Sequence, residues 1–381
     1  MNRGLFFPVI VLAAANLPAA TCSYAPLTTI ATGARTAAVI ALDLNKDRIL
    51  DIVATNQADG TLSVALGEKG GKFKAPAVYP TSTVGPYETA AADFNGDGFP
   101  DLVSANFGAA RGEPYGLTVS VHLNKGDGSF ANFVDYASTD ATQDKARAVT
   151  TGDFNRDGKI DIAVASQQSS LQVLLGRGDG SFGRNTLYSA GTSVHGVVAA
   201  DFNKDGKLDL AFANNSPNGN MTVVMGKGDG SFEPLAQYAT GSGTFAIDAG
   251  DFNGDGYTDL VTANMRGANI SVFINQGREQ PGKFAEAVNY PATMSSVAVT
   301  VADLNGDRKP DILSSANAGG VTDIYINDGK GNFAASVPLP TGNGSYDTAV
   351  ADFDGDGTAD IASALTERQV VILKGQCNHI R

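Results

Sequence analysis

Short runs that alternate apolar and polar residues recur along the chain. It reads TVSVHLN at 118–124, LQVLLG at 171–176, MTVVMG at 221–226 and ISVFIN at 270–275. A period of two over five to seven residues predicts β-strands with one buried face. Each is preceded by a shorter apolar strand, such as DLVSAN at 101–106 or DIAVAS at 161–166. Each is followed by a glycine turn, clearest as KGDGSF at 125–130 and 227–232. A further strand then ends near an aromatic residue: Tyr136, Tyr188, Tyr238 or Tyr290. Ahead of each group runs a stretch of small and β-branched residues, AVTTG or VVAA. The unit is therefore four short strands joined by turns, with no helical period.

A nine-residue acidic motif fixes the repeat. DFNGDGFPD at 93–101 returns with small changes six more times, and its first aspartates are Asp43, Asp93, Asp153, Asp201, Asp251, Asp303 and Asp352. Seven four-stranded units at a spacing of about fifty residues predict an all-β, seven-bladed β-propeller. The alanines of the first strand suit a crowded axis. The seventh copy stops after QVVILKG, without a glycine turn or fourth strand. The chain start APLTTIATG sits as far before Asp43 as NTLYSAGT sits before Asp201, so the N-terminal strand is expected to complete the last blade and close the ring. Aligned on the repeat, Cys22 and Cys377 fall on neighbouring positions of the turn that is missing there. The chain's two cysteines are thus expected to form a disulfide across the closure.

The motif has the chemistry of a hard-cation loop. Ca²⁺ takes six to eight oxygens in flexible geometry, and a loop can supply them from side chains at positions 1, 3, 5 and 9 and the carbonyl at position 7. Position 6 needs a sharp bend, which glycine gives freely. The expected ligands are Asp43, Asn45, Asp47, Ile49 and Asp51 in the first copy, and Asp93, Asn95, Asp97, Phe99 and Asp101 in the second. The third and fourth copies offer Asp153, Asn155, Asp157, Lys159 and Asp161, then Asp201, Asn203, Asp205, Lys207 and Asp209. The remaining three offer Asp251, Asn253, Asp255, Tyr257 and Asp259; Asp303, Asn305, Asp307, Lys309 and Asp311; and Asp352, Asp354, Asp356, Thr358 and Asp360. Residues 49, 99, 159, 207, 257, 309 and 358 would contribute carbonyls only. Up to seven Ca²⁺ are expected, one per blade. Position 6 is Arg48 in the first copy and Arg308 in the sixth, where weaker binding or altered geometry is expected. The competing reading is a set of aspartate turns held by their own amides. Clustered carboxylates repel without a cation, which favours metal.

Charge agrees. The 381-residue chain carries a formal −13, and 22 of its 40 acidic residues lie in these loops. Seven divalent ions would nearly cancel that charge, and its sign excludes a nucleic-acid partner. At the N-terminus, Arg3, an apolar run of about a dozen residues and then small residues read as a secretory signal peptide over 1–20. Residues 21–381 are then expected to be one propeller domain, secreted or extracytoplasmic, with no membrane span. A lipid anchor on Cys22 is the alternative, disfavoured by Thr21 before it.

Together, DFNGDG and GKGDGSF every fifty residues resemble FG-GAP repeats, also described as VCBS-type repeats. The arrangement is similar to the N-terminal propeller of integrin α chains and to secreted fungal and bacterial propellers, some of them lectins. The resemblance implies calcium loops on one face of the ring, and recognition or adhesion as function. It covers residues 24–376, but the Gly-Ala-Pro element behind half the family's name is absent.

The face opposite the acidic loops is where a glycan or protein ligand is expected. Tyr87, Arg147, His195, Phe245 and Tyr346 stand six residues before their aspartates, at one mouth of the channel. Arg111 and Tyr115 lie in the longest loop of that face. Arg177-Gly178-Asp179 spells an adhesion tripeptide, but the same hairpin reads Lys-Gly-Asp at 227–229, which marks it as structural. Catalysis has little support: His122, His195 and His379 lie in different repeats, no nucleophile motif occurs, and most carboxylates are committed to the loops. A secreted polysaccharide lyase or hydrolase on the same scaffold is the alternative function, and a passive scaffold a third. The chain has no tryptophan, which lowers the expectation of a sugar binder, although tyrosine can substitute.

Overall fold

Seven antiparallel four-stranded sheets surround one axis in the computed structural model, which describes residues 22–377 apart from 83, 110–117, 138–144, 168–169, 184–186, 190, 192 and 235. The innermost strands are Thr36–Leu42, Val84–Ala92, Ala146–Gly152, Val194–Ala200, Thr244–Gly250, Ser296–Ala302 and Ser345–Ala351. Each packs on the innermost strand of the next blade, and the seventh on the first, so the ring closes. Arg111, Tyr115, His379 and the expected signal peptide lie outside the described residues.

Burial explains the sequence of each strand. The second strands, such as Asp161–Ser166 and Asp209–Asn214, are buried at every position because neighbouring blades cover both faces. They therefore read as near-continuous small and apolar runs instead of alternating. The fourth strands, such as Ala77–Pro80 and Ala236–Ala239, lie at the rim and are largely exposed. Between neighbouring blades lie seven apolar clusters, one for each junction, and each draws side chains from both sheets. The core is thus distributed around the ring.

Closure follows the expectation from the repeat. The strand Cys22–Ala31 pairs antiparallel with Gln369–Cys377, completing the sheet that Ser345–Ala351 begins. Cys22 faces Cys377 at the end of that ladder, and the two form a disulfide. It links residues 355 apart in sequence. Restricting so long an unfolded loop is worth about 6 kcal/mol by chain entropy. Among the described residues no helix is long and apolar enough to cross a membrane.

Candidate metal loops and the axial channel

Each acidic motif connects the innermost strand of a blade to its second strand, so all seven lie on one face. The GDGSF-type turns join third and fourth strands on that same face, as at Asn124↔Phe130 and Gly226↔Phe232.

The loops share one hydrogen-bond frame. The position-1 carboxylate accepts the amide of position 6 at 2.7–2.9 Å in every copy. The position-3 side chain accepts the amide of position 5, and the position-5 carboxylate that of position 7. The bend at position 6 is left-handed throughout, at φ 86° for Gly98, 68° for Arg48 and 65° for Arg308. The two arginine loops therefore close on the same bonds as the glycine loops, at a backbone cost of about 1 kcal/mol each. Position 4 is left-handed too, at Lys46, Arg156 and Lys204 among others, which the motif alone did not signal.

In the seventh loop, oxygens of Asp352, Asp354 and Asp356 come within 4.8 Å of one another. The other six hold asparagine at position 3 in the same frame. These are carboxylate and carboxamide oxygens, exposed at position 5 and half-buried at positions 1 and 3 apart from the buried Asn305, and an oxygen that accepts one amide keeps a second lone pair. The set fits a hard divalent cation.

Position 9 has a role that sequence reasoning missed. All seven aspartates are fully buried. One oxygen accepts the amide of position 2 in its own loop, and the other accepts an amide near the end of the third strand. For Asp101 the donors are Phe94 at 2.9 Å and Asn124 at 2.7 Å; for Asp360 they are Phe353 and Gly375. Asp360 stays outside the cluster of Asp352, Asp354 and Asp356. The ninth residue thus staples the loop to its blade, which by itself accounts for aspartate in every copy. Burial pushes these carboxyls up, to about 6 for Asp209 and about 7 for Asp259 and Asp311. The two backbone bonds pull the other way, and carboxylates at positions 5 and 1 add to the rise.

The channel is accessible mainly from the loop face. In the six innermost strands whose side chains are all described, the three residues nearest the acidic loop are half-buried, whereas most earlier ones are buried. At the other end, five of the residues expected at the mouth come together and pack on one another. The Arg147 guanidinium lies 3.9 Å from the ring centre of Tyr87 and 4.9 Å from those of Phe107 and Phe245. Its Nη2 donates to the Tyr87 hydroxyl at 2.6 Å, and that hydroxyl is hydrogen-bonded to the Tyr346 hydroxyl. Phe245 meets Tyr346 and His195 edge-on. Burial, with Arg147 and Arg266 nearby, pushes His195 down to about 3, so its ring is neutral at pH 7. These side chains form a plug in place of an open rim. His122, in Thr118–His122, is buried at a blade junction and donates from Nε2 to the Pro80 carbonyl.

Beneath the plug is a cavity of about 110 Å³ lined by Tyr87, Tyr346, His195, Phe245, Glu88 and Asp347, among others. Glu88 and Asp347 stand one residue on from Tyr87 and Tyr346. The other blades have Ala38, Ala148, Gly196, Ala246 and Ala298 there. Each acid accepts an amide from the next blade's innermost strand: Glu88 from Val149, Asp347 from Val39, and likewise Asp248 from Val301. An innermost strand has no sheet neighbour on its axial side, so these carboxylates satisfy amides otherwise left unpaired. An acid within a strand of alanines was the signal for them.

Fold and loops together define a seven-bladed propeller with one acidic hairpin loop per blade. The chain belongs to the FG-GAP-like repeat family, whose profile matches residues 43–104, 93–164, 153–212, 201–262, 251–314 and 313–363. Among solved structures it is similar to BBS1N in complex with ARL6DN, in a crystal soaked with lead, with a TM-score of 0.62 and 10% identity over 94% of this chain and 98% of that one. It is also similar to an Agrocybe aegerita lectin described as recognising non-reducing terminal N-acetylglucosamine, with a TM-score of 0.55 and 20% identity over 88% of this chain and 87% of that one. At these identities the likeness is one of fold. A search of curated proteins found no match.

Proposed function

We propose that the protein is a secreted recognition module, in which acidic loops bind Ca²⁺ to hold the blades and the opposite face receives a glycan or protein ligand. The observation that carries the metal reading is one hydrogen-bond frame, repeated seven times, that sets the side-chain oxygens of positions 1, 3 and 5 on the same bend. When bound, the ion supplies charge neutralisation and cross-links the loop. Asp93, Asn95 and Asp97, with their counterparts, would hold it, while Asp101 and its counterparts position the loop from behind.

Secretion is supported by the apolar N-terminal run and by the disulfide, a bond that persists in oxidising compartments. Recognition as the role draws on the solved neighbours, one bound to a protein and one described as recognising a sugar. On this chain the ligand would meet the plug of Tyr87, Arg147, His195, Phe245 and Tyr346 and the loops around it.

Thermal unfolding with and without chelator tests the metal reading. Each site loaded at a hundredfold excess over its Kd adds about 2.7 kcal/mol, so EDTA should lower the melting temperature markedly. An unchanged transition would remove calcium from the account. Screening against a glycan array and a protein library, alongside incubation with polysaccharides, tests the role: retention without product supports recognition, and release of product supports the lyase or hydrolase reading.

A further inference from the structure

The seven loops are not chemically equal. At the residue just before the amide that position 9 accepts, six blades carry an apolar side chain: Leu66, Leu123, Leu175, Met225, Ile274 and Ile326. The seventh carries Lys374. The same blade is the one with aspartate at position 3, Asp354, where the others have asparagine. The two departures meet. Lys374 Nζ makes an ion pair and hydrogen bond with Asp354 and lies 2.7 Å from Asp356 Oδ2. These are two of the three carboxylates whose oxygens converge in that loop.

Packing shows how a lysine is accommodated. In the first blade Leu66 and the Cβ of Asn45 lie against Gly128 of the next blade's turn, and Leu175 and Asn155 lie against Gly230 in the same way. At the seventh blade, Leu27 of the closing strand takes that place against Gly71, beside the Asp354 Cβ. The apolar space is filled from the other end of the chain, and residue 374 is free to carry charge. Elsewhere, Lys159, Lys207 and Lys309 each reach only the position-5 carboxylate of their own loop. None touches position 3.

We propose that the Lys374 ammonium takes the place of the cation in the seventh loop, so that the protein binds six Ca²⁺ and not seven. The inference rests on the calcium reading above and assigns the loops within it. An ammonium held by the carboxylates at positions 3 and 5 supplies donors and positive charge where the ion would sit, and it repels a second cation. The ring is thereby fastened at its closure without metal, beside the Cys22–Cys377 bond.

Counting bound calcium on the purified mature chain tests this, by equilibrium dialysis with elemental analysis and by native mass spectrometry. The wild type should hold six ions per chain and Lys374→Leu seven. A second variant, Lys374→Met with Asp354→Asn, reproduces the fourth blade's Met225 and Asn203 and should also hold seven. Seven ions in the wild type, or six in both variants with folding intact by circular dichroism, would overturn the proposal and leave the calcium reading standing. No stoichiometric calcium in any of the three proteins would bring down both.

Discussion

Phe182 meets Phe94 edge-on, with 5.3 Å between ring centroids, across the junction of the second and third blades. Phe182 belongs to the glycine turn of one blade and Phe94 is position 2 of the acidic loop of the blade before it. The contact repeats as Phe232 on Phe154, Phe284 on Phe202, Phe333 on Phe252 and Phe73 on Phe353. Leu44 plays the same part under Phe130. At Leu304 the next blade has no turn, and Cys22 and Tyr24 of the closing strand pack there instead, with the Tyr24 hydroxyl donating to the Leu304 carbonyl. The turn and the loop, read from sequence as separate features, are two halves of one inter-blade latch.

Removing one half of a latch should loosen the junction. Phe252 is fully buried, between the fifth and sixth blades. Phe252→Ala is expected to cost roughly 3–5 kcal/mol, the range for a large aromatic deleted from a packed core. Urea unfolding followed by circular dichroism reads it directly. A loss below about 1 kcal/mol would mean that the blades are held chiefly by their loops.

Asp209→Asn separates the staple from a metal ligand. The carboxylate accepts two buried amides, from Phe202 at 2.9 Å and Gly226 at 2.8 Å. A carboxamide can accept only one and turns its own NH₂ toward the other, leaving a buried donor unpaired. The expected cost is about 2–3 kcal/mol, and it should persist in EDTA. If the variant is destabilised with calcium but matches the wild type without it, position 9 acts through the ion alone.

How much of this was legible in the chain depended on what repeats. The propeller, the loop face and the closure could be read because Asp43 and its six counterparts impose a period, and the missing turn of the seventh copy points to the N-terminus. What could not be read are relations between residues that are neighbours only in the ring. The stapling role of position 9 could not be read, since its two donors, such as Phe94 and Asn124, come from separate segments. The residues before each motif looked like an open mouth because the plug forms only when Tyr87, Arg147 and Tyr346 converge from three blades. Lys374 was one unremarked lysine until the pairing of the seventh blade's second and third strands brought it beside Asp354.

Backbone geometry gives a paired test at position 6. A Cβ added at Gly158 meets nothing within 4 Å, so Gly158→Ala measures conformation alone at φ 81°. It should destabilise by about 1 kcal/mol. Arg308, at φ 65°, already bears that strain, and Arg308→Gly should stabilise by less than about 1 kcal/mol, because the freer unfolded chain offsets part of the relief. Both are read as shifts in denaturant midpoint with calcium chelated. An unaffected Gly158→Ala would mean that the loop relaxes away from the left-handed bend.

The axial acids should make stability fall as pH rises. Burial pushes Glu88 up to about 8, with Asp347 raising it further, against smaller lowering by the Val149 amide and Arg147. Burial likewise lifts Asp248 and Asp347 to about 6. In the unfolded chain all three titrate near 4. Between those values the folded protein binds more protons than the unfolded one, and stability therefore decreases with pH. Their contribution is fully present below about pH 4, falls through pH 6 as the two aspartates ionise, and is lost above about pH 8 when Glu88 follows. The position-9 aspartates shift in the same direction without metal, so the comparison is made in EDTA between wild type and Glu88→Gln, where the loops cancel. The wild type should lose stability between pH 6 and 8 and Glu88→Gln should lose less, because glutamine keeps an acceptor for Val149 but cannot ionise. Parallel profiles for the two proteins would show that Glu88 titrates in the ordinary range, with the lumen wet enough to solvate its charge.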